Sequence, residues 1–442
     1  MEVSRLSSIS LKSVLPPHRR SGNTRTALKR VGAVLAVVTM GFLGAAEAHG
    51  WAPTCTITGT PGNDVLRGTS ERDVICGGRG NDVIHGRGGK DHLYGGPGAD
   101  RVYGGDQPDA LYGGSGPDRL FGGSGVDLLL SLQGGTDRLD GGPARDRARV
   151  DGTDGWRSVE LRYRATAPSD PILLAAGDIA NCRPGERRVW DTAPLLDFFP
   201  YATVAALGDT VYPNGALARY TSCYEPTWGR AKDRTRPAVG NHEYLTTDAA
   251  GYFTYFGALA GELGKGYYSY DLGTWHIVVL NTNDGGGTGD CQFVSCAAGS
   301  PQEQWLRADL ASSSAVCTLA YFHHPRFTAD GINQSLAALW VALQEGGADV
   351  VLNGHAHYYE RFAPQLPDRT SDPNGIVQFI VGTGGAEVEN PNPPAVPAPN
   401  SVVSKRGIRG LLRLRLRPSA YDWNFIPAAG LTFDDSGSAA CH

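Results

Sequence analysis

Val350-Val351-Leu352-Asn353-Gly354-His355-Ala356-His357 is a short β-branched run that breaks at a glycine and delivers two imidazoles. A run of that length and composition reads as a strand buried on both faces. The same arrangement recurs upstream. Pro171-Ile172-Leu173-Leu174-Ala175-Ala176 ends in Gly177-Asp178, and Val204-Ala205-Ala206-Leu207 ends in Gly208-Asp209-Thr210-Val211-Tyr212. Pro237-Ala238-Val239 leads to Gly240-Asn241-His242-Glu243, and Cys317-Thr318-Leu319-Ala320-Tyr321-Phe322 leads to His323-His324-Pro325. Polar side chains gathered at the carboxyl ends of strands are where an α/β sheet carries its chemistry. A lone Gly-Asp is usually a turn, and a lone His in an apolar run is usually a core histidine. Five such endings in succession, holding five of the eleven histidines (242, 323, 324, 355 and 357), point instead to one metal site.

The set resembles the calcineurin-like metallophosphoesterases and, within them, the purple acid phosphatases. Most metallophosphoesterases place a ligating His two residues after the first Asp, where this chain has Ala180. Purple acid phosphatases take that ligand from a Tyr three residues after the second Asp, and Tyr212 stands there. Gly354-His355-Ala356-His357-Tyr358-Tyr359-Glu360-Arg361 follows the family's Gly-His-x-His-x-Tyr-Glu-Arg run. The resemblance covers roughly residues 171–442 and implies an α/β (α+β) sandwich of two β-sheets flanked by helices. Carried over by motif, it implies that Asp178, Asp209, Tyr212 and His357 hold a first metal, Fe³⁺ in that family. Asp209 would bridge to a second metal (Zn²⁺, Mn²⁺ or Fe²⁺) completed by Asn241, His323 and His355. His323 takes the ligand role because it stands two residues before Pro325, which leaves His324 a supporting or substrate-facing one. The implied reaction is phosphate-ester hydrolysis of the acid-phosphatase kind by a metal-bridging hydroxide, with His242 protonating the leaving alkoxide. Two other readings share these residues: a phosphodiesterase or nucleotidase, and a calcium-dependent surface or matrix protein whose phosphatase-like domain binds without turnover.

Ahead of the first strand the chain obeys a different rule. Asp64, Asp73, Asp82, Asp91, Asp100, Asp109, Asp118 and Asp127 stand nine residues apart, each with an apolar residue two positions on, from Leu66 to Leu129. Asp137 and Asp146 continue the array after a one-residue shift. Gly-Gly-x-Gly turns need positive φ, which glycine adopts cheaply. The carboxylate and the turn carbonyls together suit Ca²⁺. This resembles the repeats-in-toxin, or haemolysin-type, calcium-binding nonapeptide, which implies an all-β parallel β-roll. The turns before Asp73 and Asp109 lack glycines and read as metal-free. The candidate calcium ligands are therefore Asp64, Asp82, Asp91, Asp100, Asp118 and Asp127.

The expected organisation is an export signal over 1–48, calcium-binding repeats over 49–150, a connector over 151–170 and the phosphoesterase over 171–442. The signal rests on a basic stretch from Arg19 to Arg30, the apolar run Val31–Ala46 and the small-x-small sequence Ala46-Glu47-Ala48. Sixteen apolar residues are short for a permanent membrane span, so the protein is expected to be secreted. Removing residues 1–48 takes away seven Lys/Arg and two Asp/Glu, moving the formal charge from 40 − 45 = −5 to 33 − 43 = −10. An acidic chain with no basic stripe in its sequence argues against binding a nucleic-acid backbone. The expected partners are a small phosphate ester and, through the repeats, a cell surface or matrix. Eight cysteines in an exported chain favour disulfides. Spacing favours Cys291–Cys296 and Cys55–Cys76, and Cys182 and Cys223 are placed to tie the first two motif loops. The repeats and the phosphoesterase are expected to fold on separate cores, only the former needing calcium.

Overall fold

The computed structural model describes residues 55–131, 134–164, 168–183, 188–283, 291–329, 331–386 and 397–442, so the expected leader lies outside it. The described residues fall in one compact unit.

The nine-residue period builds a flattened roll. Successive strands alternate between a seven-stranded and a six-stranded sheet, so each coil takes two repeats. Pairing is parallel: Leu93 stands beside Leu111 and Leu111 beside Leu129 in one sheet, while Val102 stands beside Leu120 in the other. These side chains point inward and form a core of their own with Ile75, Ile84 and Leu139. The roll continues past residue 150: Gly155–Arg157 and Leu161–Arg164 are its last two strands, lying within the stretch expected as a connector.

The second half is an α/β sandwich. Its six-stranded sheet runs Thr235–Ala238, Thr203–Leu207, Ile172–Ala176, Gly410–Arg417, Ala420–Pro427, Ser436–Ala440. Its seven-stranded sheet runs Tyr268–Leu272, Trp275–Val279, Cys317–Phe322, Val350–Asn353, Val377–Val381, Tyr359–Phe362, Ser401–Lys405. Within each sheet the strands ahead of the motifs run parallel to one another, so their carboxyl ends gather on one side. The alternating sequence Leu411–Leu416 pairs antiparallel with the first of these strands and closes the sheet.

The helix Pro301–Ser312 covers the second sheet. Ser300 caps it by accepting from the Glu303 N–H, with Pro at the first helical position. His276 ties this helix down: its Nε2 lies 2.8 Å from Asp309 Oδ2 and its Nδ1 3.2 Å from Asp271 Oδ1. The bond to Asp309 raises the His276 pKa, against the opposing effect of burial. A raised pKa in the fold gives stability that is full below the ordinary value of about 6.5 and fades as pH climbs through the elevated one. The melting-temperature gap between the native chain and His276→Gln is therefore expected to be larger at pH 6 than at pH 9. An equal gap at both would remove the charged pair from the account.

All eight cysteines pair: Cys55–Cys76, Cys182–Cys223, Cys291–Cys296 and Cys317–Cys441. No described helix is long and apolar enough to cross a membrane.

The two halves share a core. Ala110, Tyr112, Leu128 and Leu130, on the outer face of the roll's seven-stranded sheet, belong to the same buried cluster as Leu173, Leu196, Phe198 and Phe199. Tyr112 Oη donates to Asp197 at 3.0 Å, and Arg147 donates to the Pro427 carbonyl at 2.6 Å. The sequence expectation of separate cores fails at this face, because alternate residues of these strands point outward and are themselves apolar.

Candidate metal centre

Seven side chains named from the sequence meet at the gathered strand ends. Tyr212 Oη donates to Asp178 Oδ1 at 2.7 Å and lies 2.9 Å from Asp209 Oδ2 and 3.1 Å from His357 Nε2. His357 Nε2 is 3.1 Å from Asp178 Oδ1. On the other side, His323 Nε2 lies 3.3 Å from Asp209 Oδ2 and 3.0 Å from Asn241 Oδ1, and His355 Nδ1 is 3.2 Å from that same amide oxygen. Asp209 is thus common to both groups. Asp178 and His323 are fully buried, and Asp209 nearly so.

Local backbone holds these groups in place. Asp178, Asp209 and His355 all have positive φ, at 60°, 48° and 68°, the left-handed region that L side chains rarely enter. Strain of that kind persists where surrounding structure over-determines it. Gly208 has φ +84°, and a Cβ there would stand 2.6 Å from His323 Nδ1, so only glycine lets the imidazole approach. His323 Nδ1–H donates to the Leu207 carbonyl at 2.8 Å, which turns Nε2 toward Asp209 and Asn241. Burial disfavours a charge on His323, yet Asp209 and Asp178 outweigh it and push the imidazole up to about 9. Burial and the neighbouring His323 push His355 down to about 4.

Sequence reasoning passed over Glu243. Fully buried, it accepts from the N–H groups of Gly240, Asp209 and Thr210 at 2.7, 3.0 and 2.9 Å, clasping the second and third motif loops together. Its place beside Asn241-His242 was the available signal. His242 donates its backbone N–H to Asp209 Oδ1, and its Nδ1–H to the Pro213 carbonyl at 2.8 Å. Its side chain, 29% exposed, faces a cavity of about 200 Å³ lined by Asn181, Arg183, Tyr212, Pro213, His242 and His357. His324 does not reach that cavity: it is buried, with its ring centroid 4.4 Å from that of His355 and its Nδ1 3.1 Å from Thr282 Oγ1.

In the roll, each repeat aspartate from Asp82 to Asp146 accepts the backbone N–H of the aspartate one coil earlier through Oδ1, as in Asp64 N to Asp82 and Asp91 N to Asp109, both 2.8 Å. Oδ2 is buried and without a hydrogen bond in Asp82, Asp91, Asp100, Asp109, Asp118, Asp127 and Asp146. Burial pushes Asp109 up to about 9 and Asp118 and Asp127 up to about 7. Two turns solve the problem without an ion. Thr60 donates through N and Oγ1 to Asp64 Oδ2 at 2.6 and 2.8 Å, and Thr69 does the same for Asp73 at 2.7 and 3.0 Å. Asp64, expected as a ligand, therefore has its oxygen occupied. Asp109, set aside for a missing glycine, matches the orphaned group.

Residues 168–359 match the family described as calcineurin-like phosphoesterase. The chain carries a calcineurin-like phosphoesterase domain. Four overlapping copies of the RTX calcium-binding nonapeptide repeat match between residues 58 and 148 ahead of that domain. Purple acid phosphatase 21 of Arabidopsis thaliana is 29% identical over 271 residues, covering 55% of this chain and 57% of its own. Purple acid phosphatase 18 of the same plant is 28% identical over 251 residues, 52% and 54% of the respective chains. The chain spans about half the length of these curated relatives. The phosphoesterase domain shares its fold with purple acid phosphatase PPD1 from yellow lupin, at a TM-score of 0.52 and 17% identity over 62% of this chain and 54% of the other.

Proposed function

We propose that the chain is an exported hydrolase of phosphate esters with a dinuclear metal centre. The observation that carries this reading is the packing of Tyr212 Oη within 3.1 Å of Asp178, Asp209 and His357, so that a phenol proton lies among groups suited to share a cation. Two carboxylates, a phenol and one imidazole form a hard donor set that fits Fe³⁺. Asn241, His323 and His355, with Asp209 between, form the softer set for Zn²⁺, Mn²⁺ or Fe²⁺. Such a metal pair supplies Lewis-acid charge to phosphate oxygens and lowers the pKa of water. The chain's own residues do the rest. Glu243 and the Leu207 carbonyl fix the donors, and Tyr212 and Asn181 shape the cavity wall. His242, anchored through Nδ1 to Pro213, keeps Nε2 free to protonate a departing alkoxide. His324 backs His355 and fixes its ring. In the repeats, the seven orphaned Oδ2 atoms fit Ca²⁺, with Asp109 and Asp146 included and Asp64 and Asp73 capped by threonine. Eight paired cysteines and the calcium-type repeats support an extracellular setting.

The purified protein is expected to contain two transition metals per chain, release phosphate from p-nitrophenyl phosphate, and show a tyrosinate–iron band that Tyr212→Phe abolishes. A metal-free protein, or one inert toward mono- and diesters alike, refutes the reading.

His242→Ala is expected to keep both metals yet slow hydrolysis of poor leaving groups by roughly 10²–10⁴-fold. The loss should shrink for leaving groups that depart without a proton. Equal losses across leaving groups would make His242 an organiser of the loop rather than a proton donor.

A further inference from the structure

The roll has two outer faces with opposite fates. The outer face of the seven-stranded sheet packs into the phosphoesterase core. That of the six-stranded sheet turns away from it, and its outward side chains are exposed or half-buried. Parallel register sorts these side chains into columns. Val83, Arg101, Arg119 and Arg138 are lateral neighbours in one column, and His85, Tyr103 and Phe121 in the next.

Arg101, Arg119 and Arg138 are all exposed. Among the described residues no carboxylate forms an ion pair with any of them, whereas the nearby Arg157 pairs with Asp140. Adjacent strands lie about 4.8 Å apart, so three like charges rise side by side, an arrangement that destabilises a sheet unless something neutralises it. The chain as a whole is acidic, with a formal charge of −5, so this row is a local reversal of sign. In the neighbouring column His85 stacks on Tyr103 and Tyr103 on Phe121, each pair with centroids 4.8 Å apart and planes within 8°. The three stacked rings, all half-buried, form an aromatic rail parallel to the arginines. Arg67 and Arg87 flank His85 and, after burial, hold its pKa below the ordinary value.

We propose that this face docks a linear acidic polysaccharide laid across the strands, its carboxylates on Arg101, Arg119 and Arg138 and its ring carbons along His85, Tyr103 and Phe121. A guanidinium meets a carboxylate in a bidentate fork, and the row repeats at the spacing of successive strands. Duplex DNA carries a charge every ~1.7 Å of axis, wound around a cylinder, and asks for a broader basic surface than one straight row. An anionic membrane would ask for protruding apolar side chains to bury, whereas His85, Tyr103 and Phe121 are half-buried in their stack. Because the phosphoesterase lies on the roll's other side, a docked polymer leaves its cavity open. The proposal stands apart from the catalytic reading.

The test uses the full chain in millimolar calcium. Retention is measured on immobilised polygalacturonate, neutral dextran, duplex DNA and anionic phospholipid vesicles, for the native protein and Arg101→Gln/Arg119→Gln/Arg138→Gln. The expected result is retention on polygalacturonate that weakens with salt, is absent on dextran, and drops roughly tenfold or more in the triple variant. Phosphatase activity should stay unchanged, and the melting temperature should hold or rise as the repulsion along the row is removed. If the triple variant fails to fold, Arg119→Gln alone, at the centre of the row, carries the comparison. Equal retention of native and variant protein, no retention on polygalacturonate, or stronger arginine-dependent binding to DNA or vesicles would each overturn the proposal.

Discussion

Asp209→Asn is expected to reduce the metal content below two per chain and to lower phosphate-ester hydrolysis by roughly 10³-fold or more. The side chain stands between the two donor groups, with Oδ2 2.9 Å from Tyr212 Oη and 3.3 Å from His323 Nε2. Its Oδ1 meanwhile holds the loop of the third motif through the His242 N–H at 2.8 Å. Asparagine keeps the shape but loses the charge and one of the two acceptor atoms. If its amide nitrogen takes the Oδ2 position, His323 Nε2 loses its acceptor; if it takes the other, the His242 N–H loses its own. Glu243 still clasps the backbone at 209, so the fold should survive. Elemental analysis beside turnover separates the outcomes. Two metals with activity within tenfold of the native enzyme would end the assignment of Asp209 as the shared ligand.

Deleting the roll is expected to leave the phosphoesterase segment unable to fold as a soluble enzyme, contrary to the independence that the repeat pattern alone implied. The outer face of the roll lodges Tyr112, Leu128 and Leu130 in the phosphoesterase core, and Tyr163 meets Phe198 and Phe199 edge-on at 5.6 and 4.9 Å. Burying one such side chain stabilises by about 1.5–3 kcal/mol. Half a dozen of them sum to on the order of 10 kcal/mol, comparable with the whole stability of a typical domain. Charged contacts would be lost as well: Arg72 pairs with Asp191 at 3.5 Å, and Arg149 donates to the Asp197 carbonyl at 3.1 Å. By the same coupling, calcium chelation in the intact chain should lower one shared melting transition. A soluble, active segment from residue 165, or two independent transitions of which only one responds to chelator, would restore the separate-core view.

The five strand-end motifs were legible because each combines two local signals, a short apolar run and a metal-binding residue type just beyond it. The roll was legible because a nine-residue period leaves no other consistent packing. What escaped the sequence depends on which residues become lateral neighbours. Arg101 and Arg119 are 18 residues apart and Arg138 a further 19, so no basic stripe is visible in the linear chain, although the register assembles one. Glu243 looked like part of a motif rather than its clasp, since its acceptors' partners come from two loops. Thr60 and Asp64 are close in sequence, yet only the turn geometry shows that the hydroxyl takes the place an ion would need. Cys317–Cys441 joins positions 124 residues apart and carries no local spacing signal.

The strand that carries Asp178 is flanked on one side by Thr203–Leu207 and on the other by Gly410–Arg417, which lies more than 230 residues further along the chain. A chain made from its amino end therefore finishes the repeats, the first four motifs and the fifth before the partner that seats the first of them exists. Contacts this distant form late because loop closure precedes their reward. Strand order thus makes the seating of Asp178 a late event, waiting on a strand from the far end of the chain whatever the order in which the five motifs are made.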